Sequence, residues 1–140
     1  MQPHQVFVYG SLRSGFNHPA YSYISQYFSL VGMGKVHGCL FDMGDYPAAK
    51  PCEREQYIVG ELYQIKNVQE WDWAIAQLDD YEGLHPEGNE EPLYYRKVVT
   101  VITDAGNSEA WMYWFNGDVA NKPVVESGDV IEYLRKKMGS

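Results

Sequence analysis

Three places in this chain combine residue types that can do chemistry. The first is Glu82. Trp71, Ile75 and Leu78 fall four and three apart, one apolar stripe of a helix, and a further step of four reaches Glu82. A stripe that should face a core thus ends in a carboxylate, just ahead of Gly83, a residue type suited to a helix C-cap. The negative end of the helix dipole and burial both disfavour ionisation, so both push the carboxyl pKa upward. Such a group is suited to general acid–base work near neutral pH. The alternative is a helix that frays at Tyr81 and leaves Glu82 in solvent, as most glutamates are. Asp79 and Asp80 read as the solvated face of the same helix.

The second place is Tyr9-Gly10-Ser11-Leu12, at the end of the apolar run QVFVY. A sharp turn there lets successive backbone N–H groups converge on an anion or on a carbonyl oxygen that becomes one. An ordinary strand-end turn, with Ser11 satisfying its own backbone, is the plainer alternative. The third is a hairpin in which Tyr94 and Arg96 share one strand face and Trp111, Tyr113 and Phe115 share a face of the partner. Beside a buried acid, such a wall makes a small pocket with polar tips. Cross-strand aromatic packing explains it without a ligand.

Other chemistries lack their residues. Ser11, Ser14, Ser22 and Ser25 have no GxSxG context. Gly10, Gly15, Gly32 and Gly34 form neither GxGxxG nor a P-loop. His4, His18, His37 and His85 show no ligand spacing, and Cys39 and Cys52 form no CxxC, so no metal and no structural disulfide are expected. Reduced thiols in a cytoplasmic setting are the expectation that follows.

The elements that must position these groups belong to one domain spanning residues 1–140. Apolar residues make up 45% and charged residues 21%, so the chain can bury a core and is neither disordered nor membrane-like. Lys and Arg number 11 against 19 Asp and Glu, a net charge of −8, which argues against a nucleic-acid partner. Nothing resembles a signal peptide or a membrane span. The patterning predicts strands at Gln5 to Tyr9, Lys35 to Asp42 and Gln56 to Ile65, the last with Gly60 at a bulge or close approach. It predicts helices from Asn17 to about Phe28, Gln69 to Tyr81 and Val130 to Lys137. Gly44 to Pro47 reads as a turn, and Gly83 to Pro92 as a polar loop. Tyr94 to Thr103 and Glu109 to Phe115 read as a hairpin around Asp104 to Asn107. The fold class is α+β with a strongly curved or closed sheet.

The ordered segments VFVYGSLRSG, GKVHGCLFDMGDYPA, VGELYQI, LDDYEG, YYRKVVTV, AWMYWF and VESGDV together resemble the γ-glutamylcyclotransferase-like family, over nearly the whole chain from Val6 to Asp129. The resemblance implies a compact mixed β-barrel with flanking helices and a cavity at one end. It implies that the loop of Tyr9, Gly10, Ser11 and Leu12 donates N–H groups to substrate and that Glu82 is catalytic. In the implied reaction, the α-amine of a γ-glutamyl amine or peptide attacks its own γ-carbonyl. The products are 5-oxoproline and a free amine. Holding the substrate folded supplies the proximity advantage, and Glu82 takes a proton from the attacking nitrogen and returns it to the leaving one. The Gly10 to Leu12 amides are placed to stabilise the oxyanion. The same loop or Arg13 serves the α-carboxylate, and Tyr94, Arg96 and Tyr113 line the cavity. No cofactor or metal is needed, and the partner is a small γ-glutamyl substrate; the oligomeric state carries no signal. Acidic residues after Glu82 (Glu87, Glu90 and Glu91, with His85) would favour a cationic leaving amine if that loop borders the cavity mouth; a plain solvated loop is the alternative. Two other readings use the same cavity: a non-catalytic domain that binds a small metabolite, and a related enzyme acting on a different small amine conjugate.

Overall fold

The structure is a computed structural model and describes residues 3–10, 21–44, 47–82 and 94–139. Strands β1 (Gln5–Val8), β2 (Phe28–His37), β5 (Tyr57–Ile65), β6 (Tyr94–Thr103) and β7 (Gly106–Phe115) form a closed barrel in the order β1-β5-β2-β6-β7. Neighbours are antiparallel except β1 and β7, which run parallel and close the barrel with Val6 opposite Trp111. The barrel is therefore mixed. Strands β3 (Cys39–Asp42) and β4 (Pro47–Lys50) form a separate two-stranded ribbon. Helices α1 (Tyr21–Tyr27), α2 (Trp71–Glu82) and α3 (Val130–Gly139) flank the barrel.

The pleat sorts alternate residues into two apolar clusters. One takes Phe7, Val36, Leu62, Val101, Met112 and Trp114, so all five barrel strands contribute and it fills the barrel interior. The other takes Val6, Val8, Tyr63, Tyr113 and Phe115 from the outer face, covered by Ile24 of α1 and by Trp71, Ala74, Ile75 and Leu78 of α2. A five-stranded barrel is narrow, and Gly60 meets that constraint. A Cβ there would collide with the Val8 carbonyl oxygen and lie 2.7 Å from Phe7 Cζ. The close approach predicted at Gly60 is present, and its cross-strand partner is Gly34.

Three elements depart from the sequence expectation, two of them at a glycine. The strand expected over Lys35 to Asp42 is two strands. Gly38 separates them: its N–H bonds to the Gln56 carbonyl at 3.0 Å, and a Cβ there would crowd Ile58 and Trp114. Upstream, β2 begins at Phe28, where the first helix was expected to end. The hairpin is tighter than expected: Thr103 pairs with Gly106, which adopts φ +119°. The last helix is capped by Asp129, whose Oδ1 accepts from the N–H groups of Ile131 and Glu132.

Cys39 and Cys52 are joined in a disulfide, against the expectation of free thiols. The topology makes the pairing possible: β3 and β4 pair Cys39 with Lys50, so the chain two residues beyond returns to Cys39. The bond removes the ground on which a reduced, cytoplasmic setting was expected. Among the described residues, no helix is long and apolar enough to cross a membrane.

Candidate active site

Helix α2 starts from a single 3-10 turn, Val68–Glu70, in which Asn67 caps by accepting from the Gln69 N–H at 3.0 Å. The predicted stripe is buried: Trp71, Ile75 and Leu78 pack on the outer barrel face. Glu82 is the last residue of α2, one beyond the expected helix end; its side chain lies outside the described residues.

Asp79 does not lie on a solvated face. It is 6% exposed, while Asp80 is exposed as expected. The Arg96 guanidinium donates from Nε to Asp79 Oδ1 at 2.8 Å and from Nη2 to Oδ2 at 3.0 Å. The Tyr113 hydroxyl donates to Oδ1 at 2.7 Å. The physical reason is spacing: Asp79 stands four residues after Ile75, so it belongs to the stripe's second edge. Burial of a carboxylate is tolerated because a cation and a hydroxyl replace its water. Arg96 is itself held over the Trp111 ring, 4.4 Å from the centroid, and the Trp111 indole N–H donates to the Pro3 carbonyl at 3.1 Å.

The end of β1 meets the same assembly. The Tyr9 hydroxyl donates to the Tyr113 carbonyl at 2.6 Å. Gly10 follows, and a Cβ there would lie 3.2 Å from Pro47 Cγ, at the start of β4. The Tyr94 hydroxyl donates to the Pro47 carbonyl at 3.0 Å, and its ring meets Phe115 edge-on at 5.6 Å. The structure therefore brings together Tyr9, Gly10, Tyr94, Arg96, Tyr113 and the end of α2. Ser11, Leu12, Arg13 and the loop Gly83 to Pro92 lie outside the described residues.

A second buried carboxylate escaped the sequence reading. Glu61 is 5% exposed and accepts from the Tyr63 hydroxyl at 2.7 Å. Val8 pairs with Glu61 across β1–β5, and Arg96 pairs with Tyr113 across β6–β7. Continuing the parallel β1–β7 register by two residues brings Val8 level with Tyr113. Glu61, Val8, Tyr113 and Arg96 thus form one row over four strands, about 14 Å from end to end. The signal in the sequence was a single charge within the otherwise apolar run VGELY. The row, α2 above it and the β1 end beside it make a polar corner on an apolar barrel face.

A family model described as gamma-glutamyl cyclotransferase, AIG2-like, matches residues 6–132. A provisionally named gamma-glutamylcyclotransferase of Methanocaldococcus jannaschii is 35% identical over 131 residues, covering 91% of this chain and 96% of that protein. The gamma-L-glutamyl-butirosin B gamma-glutamyl cyclotransferase of Niallia circulans is 27% identical over 114 residues, covering 81% of this chain and 67% of that protein. The solution structure of Escherichia coli ytfP is similar with a TM-score of 0.62 at 28% identity, over 92% of this chain and 97% of that one. With this barrel, and with the segments YGSL and LDDYEG in its sequence, the chain belongs to the gamma-glutamyl cyclotransferase, AIG2-like family.

Proposed function

We propose that this protein is a γ-glutamylcyclotransferase that converts a γ-glutamyl amine or peptide to 5-oxoproline and a free amine. The observation that carries the reading is the junction of a helix end and a strand end. The last turn of α2, which carries Glu82, is tied through Asp79 to Tyr113, and the Tyr113 carbonyl accepts the Tyr9 hydroxyl at the strand end leading into Ser11 and Leu12. An acid–base carboxyl and a set of loop amides are what the cyclisation needs.

In the proposed mechanism the neutral α-amine attacks the γ-carbonyl carbon and forms the new C–N bond of a five-membered ring. Glu82 takes one proton from the attacking nitrogen. The amides of Gly10 to Leu12 hold the developing oxyanion, and Arg13 or the same loop holds the α-carboxylate. Collapse of the tetrahedral intermediate breaks the bond to the leaving nitrogen, which receives the proton from Glu82. No water, oxidant or cofactor enters the balance. Tyr94, Arg96 and Tyr113 supply the wall on the β6–β7 side. The acidic residues after Glu82 favour a cationic leaving amine. The butirosin conjugate in the name of the Niallia circulans relative supports breadth in that amine.

The test is turnover of γ-glutamyl-ε-lysine, γ-glutamyl-alanine and glutathione, followed by 5-oxoproline release. Release by the parent and loss in Glu82→Gln supports the proposal. No release from a folded parent with any of the three defeats this substrate class.

A further inference from the structure

We propose that Asp79, Arg96 and Tyr113 are positioning residues: they fix the rotation of the last turn of α2, the turn that ends at Glu82. The inference rests on the cyclotransferase reading for its catalytic consequence. Asp79 and Glu82 stand three residues apart on one helix, which places them on the same face about 4.5 Å apart along the axis. A constraint on Asp79 therefore acts on Glu82 through less than one turn of rigid helix.

The constraint is directional. Both carboxylate oxygens of Asp79 are engaged by the Arg96 fork, at 2.8 Å and 3.0 Å, and Oδ1 also accepts from Tyr113. A planar fork on a planar carboxylate permits little rotation, which a lysine at the same place would not restrict. Arg96 in turn is sandwiched against Trp111 on β7, so the clamp is referred to the barrel wall and not to a mobile surface chain. The Tyr113 residue completes the link: its hydroxyl holds the helix and its carbonyl accepts from Tyr9. One residue of β7 thus joins the last turn of α2 to Tyr9 at the end of β1.

Stability alone does not account for the clamp. A buried ion pair contributes little net stability relative to a well-packed apolar pair of similar volume, whereas its fork geometry specifies one arrangement. The distinction is measurable. In Asp79→Leu/Arg96→Met the apolar pair fills the space without orienting the helix end. The expected result is a folded protein in which kcat falls about tenfold to hundredfold, as misplacement of a catalytic group by about 1 Å does, and by a larger factor than KM rises through the altered Arg96 wall. Arg96→Lys keeps the charge and loses the fork; it is expected to fold and to lose kcat by a smaller factor, and it carries the test if the double variant fails to fold. Amide hydrogen exchange of residues 78–82 is the readout independent of turnover. It is expected to speed up in both variants while residues 71–77 stay protected. Unchanged exchange in the last turn overturns the positioning role whether or not the parent turns over. Parental kcat in a folded variant overturns it as well. A parent with no turnover but with the exchange result intact leaves the clamp standing and defeats only the cyclotransferase reading.

Discussion

Asp79 and Arg96 meet in a two-pronged hydrogen-bonded pair, 2.8 Å and 3.0 Å, one turn before the end of α2. The Asp79 side chain is 8% exposed and that of Arg96 21%. Removing one partner leaves the other charge without its counterion in a setting that largely excludes water. Asp79→Ala should therefore destabilise the protein by about 3 kcal/mol. Adding Arg96→Ala should contribute much less than its single effect, because the stranded charge is gone. Denaturant titration of the two single variants and the double closes this cycle.

Leu78 tests the apolar face beside that pair. It is 2% exposed, and it packs within the outer cluster under α2. Leu78→Ala should lower stability by about 3 kcal/mol through lost burial and the cavity left behind. A loss under about 1 kcal/mol in thermal or chemical unfolding would mean that α2 is not seated on the barrel at this point.

Gly60 and Gly106 separate space from backbone strain. A Cβ at Gly60 meets the Val8 carbonyl and the Phe7 ring, whereas Gly106 has nothing near it but holds φ +119°. Gly60→Ala should cost about 3 kcal/mol and disturb the β1–β5 pairing. Gly106→Ala should cost about 1 kcal/mol, from the turn conformation alone. Unfolding midpoints, with exchange of the Val8 and Leu62 amides as a local probe, distinguish the two.

The disulfide predicts a response to reductant. Cys39 and Cys52 are 13 residues apart, and closing a loop of that size stabilises a fold by about 3 kcal/mol. Reduction should lower the unfolding temperature by about 10 °C. Thiol labelling should find no reactive cysteine before reductant and two after denaturation in its presence. A midpoint indifferent to reductant would contradict the pairing.

Tyr9→Phe removes a single hydroxyl from the link between β1 and β7. With the Tyr113 carbonyl left without that donor, the expected loss is about 1 kcal/mol. A larger effect on kcat than on stability is expected, since the bond joins the two ends of the site.

The parts of this molecule that could be read from sequence are those where side-chain periodicity and burial agree. The α2 stripe placed Glu82 at the helix end because Trp71, Ile75 and Leu78 are large, apolar and regularly spaced. The β6–β7 hairpin was visible for the same reason. Asp79 was misread because a charged residue was assigned to solvent by type, although its spacing from Ile75 put it on the buried edge. Its partners come from β6 and β7, 17 and 34 residues away, and no local pattern announces them. The split between β2 and β3 depends on which barrel neighbours crowd Gly38, and the disulfide depends on the β3–β4 pairing. Both are consequences of tertiary register. The resemblance to a family carried the barrel further than the local patterns could.

Product stoichiometry separates cyclisation from hydrolysis. With a γ-glutamyl amine as substrate, cyclisation yields one 5-oxoproline for each amine released, no free glutamate, and no product of either kind from Glu82→Gln. Release of glutamate in place of 5-oxoproline would mean that water, and not the substrate's own amine, is the nucleophile, and would overturn the proposed reaction.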